Sequence, residues 1–118
     1  MEIKLTNTNT VLRNDGTRTI NVYECGNYRV TETKYNESDL TLYSVSPNEE
    51  LWAERYCPSI TVDDCFGELN GFKIQTTSYG ALNVEELQKM MRLLNEAVEV
   101  VNALTERYVK GATQCKSE

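Results

Sequence analysis

Histidine is absent from all 118 residues. That removes the side chain most often used as a general base and the commonest metal ligand near neutral pH. Catalytic Ser-His-Asp and Cys-His arrangements, zinc sites that mix cysteine with histidine, and every histidine-bearing metalloprotease motif are excluded together. A glycine-rich phosphate loop is also missing, and proline occurs only at Pro47 and Pro58. No stretch approaches the roughly 20 apolar residues of a membrane span, and Met1-Glu2-Ile3-Lys4 lacks the apolar run of a secretory signal. These absences predict a cytoplasmic chain without membrane association. In a reducing compartment Cys25, Cys57, Cys65 and Cys115 are expected to stay free thiols. Their spacing contains no Cys-x-x-Cys pair, so small buried thiols are the plainer reading. A zinc site assembled in three dimensions is the alternative. Its ligands would be Cys25, Cys57 and Cys65, because Cys115 sits in a polar tail.

The remaining composition is that of a folded protein, with 40% apolar and 25% charged residues. A chain of this length buries roughly two-thirds of its unfolded surface, enough for one core and one domain. The domain is expected over residues 1–110, followed by a polar, flexible tail over 111–118.

Short alternating runs broken by turn residues fill Met1 to Ser46, the signature of antiparallel strands. Glu2 to Leu12 and Thr17 to Glu24 flank Arg13-Asn14-Asp15-Gly16, where glycine supplies the positive φ of a hairpin loop. Ile3 and Leu5, then Ile20 and Val22, mark one face of each strand. Cys25-Gly26-Asn27 turns the chain into Tyr28 to Lys34, and Asn36-Glu37-Ser38-Asp39 turns it into Leu40 to Ser46. Ser46-Pro47-Asn48-Glu49 predicts a short helix through Arg55, with serine as cap and proline at the first helical position. Ser59 to Leu69 and Phe72 to Ser78 resume strand character, with Asn70-Gly71 between them as a hairpin signal.

Asn83 with Glu86 three residues on forms an N-cap pattern, and a long helix follows. Leu87, Met90, Leu94, Ala97, Val101, Leu104 and Tyr108 repeat at helical spacing, widened by Met91 and Val98. Lys110-Gly111 predicts the stop after about 26 residues. The fold class is α+β: an antiparallel meander, one short helix, and a long C-terminal helix packed on the sheet. Leu93 and Val100 extend the helix stripe beyond one sheet face, so a homodimer through this helix is a further expectation.

The charge is unevenly placed. Residues 32–68 hold nine carboxylates against Lys34 and Arg55, a local charge of −7 in a chain whose total is −6. Glu49, Glu50, Glu54, Asp63, Asp64 and Glu68, with Trp52 among them, are the candidate surface for a protein partner with a basic face. Tyr35, Tyr43 and Tyr56 are interleaved with these charges, as aromatic residues are at interfaces, although core positions suit them equally. Keeping a small domain soluble is the plainer role for the carboxylates. The same acidity disfavours direct nucleic-acid binding, which needs clustered Lys and Arg. Asp63-Asp64 with Glu68 is the carboxylate group to weigh for a divalent cation, and adjacent aspartates on a strand point to opposite faces. Cys57 and Cys65 have no histidine to activate them, so no catalytic residue and no cofactor is assigned.

Ile74-Gln75-Thr76-Thr77-Ser78-Tyr79-Gly80, followed by Asn83-Val84-Glu85-Glu86-Leu87 and Glu96-Ala97-Val98-Glu99, resembles the strand, loop and terminal helix of small proteins encoded by phages and mobile elements of Gram-positive bacteria. Small acidic members of that group include anti-CRISPR inhibitors, which bind a CRISPR nuclease and block its loading with guide or target nucleic acid. The resemblance implies a non-enzymatic, protein-binding inhibitor in the host cell cytoplasm; a zinc-stabilised structural or adaptor module using the cysteines is the alternative.

Overall fold

A computed structural model describes residues 1–65 and 68–109. Four strands, β1 (Ile3–Arg13), β2 (Gly16–Cys25), β3 (Tyr28–Tyr35) and β4 (Leu40–Pro47), form an antiparallel meander in that order. A short helix α1 (Glu49–Trp52) leads to a two-stranded sheet of β5 (Ser59–Cys65) and β6 (Glu68–Gln75), and the helix α2 (Val84–Tyr108) completes the fold. The expected α+β architecture is therefore present, with its strands divided between two sheets. Among the described residues no helix is long and apolar enough to cross a membrane. The expected tail, Cys115 and the Lys110-Gly111 stop lie outside the described residues.

Turn chemistry sets the meander. Arg13 pairs with Gly16, leaving Asn14-Asp15 as the loop, and Gly16 has φ +117°. A side chain there would be strained in backbone and would also meet the Glu37 carboxylate, which accepts the Thr17 amide at 2.9 Å. Cross-strand pairs Cys25↔Tyr28 and Tyr23↔Val30 place four buried side chains on the face toward α2. Ile20 and Val22 share a face, as their alternation indicates, but it is the outer, half-buried one. In β1 a register shift between Leu5 and Asn7 leaves Thr6 outside the ladder, and its hydroxyl donates to the Val22 carbonyl at 3.0 Å.

Two boundaries differ from expectation. Pro47 ends β4 opposite Tyr28 instead of starting a helix, and Asn48 is the N-cap, its Oδ1 accepting the Leu51 amide at 2.9 Å. On the edge strand an N–H at position 47 would point away from β3, so proline is tolerated there, and the next ladder bond comes from the Asn48 amide, which donates to the Asn27 carbonyl at 2.8 Å. The helix consequently spans four residues and stops short of Arg55. Asn70-Gly71 lies inside β6, and the reversal falls between the paired residues Cys65 and Glu68. This register joins Ile60↔Ile74 and Val62↔Phe72 on one face, so the apolar side chains of both strands meet α2 together. A reversal at Asn70-Gly71 would have paired Ile60 with Ala81 and Val62 with Tyr79. Asn70 is instead the bulged residue between Asp64↔Leu69 and Asp63↔Gly71.

The α2 N-terminus follows the sequence signal: Asn83 accepts the Glu86 amide at 2.8 Å, and Glu86 accepts the Asn83 amide at 3.2 Å. Ala97, Val100 and Leu104 are fully buried and join residues of both sheets in one core. The buried stripe is thus rotated from the expected one. Val100 and Leu93 belong to the core rather than to a second surface, while Leu87, Met91 and Val98 are exposed. The Tyr28 hydroxyl donates to the Pro58 carbonyl at 2.7 Å, tying the meander to the start of β5.

Truncating Leu104 to Ala is expected to destabilise the fold by about 2–5 kcal/mol, and Asn83→Ala by about 1 kcal/mol. Urea unfolding followed by circular dichroism measures both; an unshifted midpoint for Leu104→Ala would remove α2 from the core.

Candidate partner-binding surface

The segment around α1 is held from several sides. Asn48 Nδ2 donates to Asn27 Oδ1 at 3.2 Å, and Asn27 Nδ2 donates to Glu96 Oε2 on α2 at 2.9 Å. Leu51 is buried beneath the helix. On its far side Glu54 pairs with Lys89 at 2.7 Å, the Tyr56 hydroxyl donates to the Glu86 carboxylate, and the Tyr79 hydroxyl donates to the Arg55 carbonyl at 2.8 Å. The Tyr56 hydrogen bond holds the Glu86 carboxyl below its ordinary range, reinforced by the Asn83 amide. Tyr56 and Tyr79 meet edge to face at 4.9 Å. The result is a fixed knob on which Trp52 stands 75% exposed, beside the exposed Glu49 and Glu50. Glu49 and Glu50 also complement the dipole of the first turn.

The acidic block of the sequence is divided in space. Glu37 lies at the opposite end of the meander, against Thr17. Asp63, Asp64 and Glu68 sit toward the far end of the β5–β6 hairpin, about 14 to 20 Å from Ser59 at strand rise. Asp63 is half-buried and pairs with Lys73 at 3.6 Å, whereas Asp64 and Glu68 are exposed. Glu49, Glu50 and Trp52 therefore lie on α1 with Glu54 just beyond it, and Asp63, Asp64 and Glu68 lie at the end of the β5–β6 hairpin. Of the aromatic residues between the charges, Tyr56 is buried, Tyr43 stacks on Tyr108 at 4.9 Å, and the Arg18 guanidinium lies 4.6 Å over the Tyr35 ring. Among the described residues of this group, Trp52 alone is largely exposed.

The described cysteines do not converge. Cys25 is fully buried in the core, Cys57 is half-buried beside Pro58, and Cys65 is exposed at the other end of β5. Among the described residues no group of three His, Cys, Asp or Glu side chains is placed to hold a metal ion. The zinc alternative therefore finds no ligand set here, and the Asp63, Asp64 and Glu68 carboxylates form no cation site either. Burial pushes both the Cys25 and Cys57 thiols above their ordinary range, which keeps them protonated and poorly nucleophilic.

One polar cluster was not singled out from the sequence. Glu32 is only 6% exposed, and its carboxylate accepts from Asn21 Nδ2 at 3.0 Å and lies 3.7 Å from Lys34 Nζ. Its position was legible, because Tyr28, Val30 and Glu32 alternate along β3 and must share a face. Tyr23 and Tyr43 pack against Tyr108, and Arg107 lies 5.2 Å over the Tyr23 ring. Burial, and then the Glu32 carboxylate, push the Tyr43 hydroxyl up to about 12. Burial also pushes Tyr108 up to about 12; its hydroxyl has no hydrogen-bond partner among the described residues.

Both folded values lie above that of an unfolded tyrosine, roughly 10. The unfolded chain therefore loses these protons first as pH rises. Stability is expected to be intact below about pH 10 and to fall between there and about 12. Alkaline titration should show these hydroxyls ionising together with unfolding, and the fall should be shallower in Tyr43→Phe and Tyr108→Phe. Titration of every tyrosine near pH 10 in the folded protein would contradict the cluster.

Comparison of this chain with protein-family models, with curated proteins and with solved structures finds no match.

Proposed function

We propose that this chain acts by binding rather than by catalysis, as an anti-CRISPR-like inhibitor that docks α1 on a basic surface of an RNA-guided host nuclease and blocks nucleic-acid loading. The observation that carries the reading is Trp52: the only tryptophan, 75% exposed, on a braced four-residue helix and flanked by Glu49 and Glu50. An exposed tryptophan held rigidly loses little conformational freedom when it enters a pocket, and tryptophan is among the residues that dominate binding energy. Carboxylates at its rim favour Lys- and Arg-rich surfaces and speed the encounter. A surface that accepts them is one that otherwise accepts phosphates, so occupancy by α1 competes with nucleic acid without this chain touching nucleic acid itself. The partner class follows from that competition and from the resemblance to anti-CRISPR proteins; the host cytoplasm is the compartment it implies.

Titration calorimetry reads binding for the natural chain and for variants that lack its only tryptophan alike, and the Trp52 emission is expected to shift to the blue when a partner buries it. Against a purified RNA-guided nuclease without its guide, Trp52→Ala should weaken binding at least 30-fold, corresponding to about 2 kcal/mol. Glu49→Lys with Glu50→Lys should slow association and flatten its salt dependence. Asp63→Asn with Asp64→Asn, on the separate hairpin end, should change affinity by less than about threefold. Affinity unchanged by Trp52→Ala would end the α1 reading.

A further inference from the structure

The exposed side of α2 carries a second apolar stripe that the core does not use. Val84, Leu87, Met91 and Val98 are 71%, 42%, 53% and 46% exposed, and half-buried Leu94 lies outside the core cluster. Their spacings alternate three, four, three and four, a strict seam two positions per heptad wide running about 21 Å. The stripe that packs on the sheets, Leu93, Ala97, Val100 and Leu104, is centred roughly 130° away around the helix axis. One helix thus presents two apolar faces, and among the described residues only one is covered.

The seam identifies its occupant by period and by flank. A period of 3.5 residues with Val84, Met91 and Val98 at one heptad position and Leu87 and Leu94 at the other fits the side chains of a second helix. On the side away from the core it is bordered by Gln88, Asn95 and Asn102, all exposed and all uncharged, and on the other side by half-buried Met90 and the core residues Ala97 and Leu104. Charged borders would select a partner of opposite sign. Amides carry donor and acceptor alike and are complementary to themselves, as a two-fold interface requires. In a chain of net charge −6, a neutral strip is also where two copies approach with least repulsion. A lipid surface would call for Lys and Arg along the polar face, yet the first half of α2 carries Glu85, Glu86 and Glu96 against Lys89 and Arg92.

We infer that the α2 seam is an interface between two copies of this chain, packed antiparallel across a two-fold axis near Met91. Both helices are already ordered by their own sheets, so a contact of two heptads does not bear the cost of forming a helix. The antiparallel arrangement sets Gln88 of one copy against Asn95 of the other. It also keeps the two acidic first turns, Glu85 and Glu86, apart and aligns the helix dipoles favourably. Trp52 and its knob are no part of the seam, so dimerisation and the binding proposed above are separable.

Light scattering or sedimentation of the full chain at about 100 µM, where a micromolar association is nearly complete, is expected to give twice the 13.5 kDa chain mass. Met91→Glu with Val98→Glu replaces exposed side chains and should give a single chain mass with unchanged circular dichroism, whereas Trp52→Ala should remain a dimer. Gln88→Lys with Asn95→Lys should dissociate the pair, and Gln88→Lys with Asn95→Glu should retain it. A wild-type mass of one chain, or a dimer that survives Met91→Glu with Val98→Glu, overturns the interface; equal masses for the two Gln88/Asn95 variants overturn the antiparallel register.

Discussion

Burial of Ala97, Val100 and Leu104 against two separate sheets is the contact on which the remaining structure depends. The meander and the β5–β6 hairpin share no ladder, and a lone two-stranded hairpin is marginal in water. The helix gives the hairpin its covered face, through Ile60, Val62, Phe72 and Ile74, and gives the meander a lid over Tyr23, Cys25, Tyr28 and Val30. Small Ala97 at the centre of that stripe allows the helix to approach closely, and the larger Leu104 is fully buried in the same core. The buried hydrogen bond from Tyr28 to Pro58 is directional where the apolar contacts are not, and it fixes where β5 begins.

The same helix also braces the knob. Its first four turns supply Glu86, Lys89 and Glu96, which reach Tyr56, Glu54 and Asn27 in turn. The exposed ion pair between Lys89 and Glu54 contributes little stability by itself. Its effect is geometric: with the Asn48 cap and buried Leu51 it leaves a four-residue helix little freedom to move, although such a helix would not persist alone. Trp52 is consequently held outward by the core, not left outward by disorder.

The polar and apolar surfaces of the molecule follow the faces of α2. The core stripe turns inward, the flank with Glu86, Lys89 and Glu96 meets the α1 segment, and the Val84 to Val98 seam is on neither. Buried Glu32 lies near the other end of the same helix, where Tyr108 packs on Tyr43 and Arg107 covers Tyr23. A carboxylate kept that far from water is retained by its partners Asn21 and Lys34, so this end of the core is specified by polar geometry as well as by volume.

Local chemistry was legible in the chain before any coordinates. Gly16 and Gly26 announce turns, the Asn83 and Glu86 pair announces the start of α2, and period-two and helical spacings announce strands and helix, because each of these depends only on neighbours in sequence. What needed the tertiary structure was every choice between equivalent local options. Asn70-Gly71 can turn a hairpin, but alignment of Ile60 and Val62 with Ile74 and Phe72 against α2 outweighs it. The long helix has apolar residues over more than one face, and only the positions of two sheets decide that Val100 is inside and Met91 outside. Likewise the acidic block is continuous in sequence and divided in space, since an extended β5 carries Asp63, Asp64 and Glu68 away from Glu49 and Trp52. Sequence by itself determined which elements form; long-range burial decided their register and which faces remain in water.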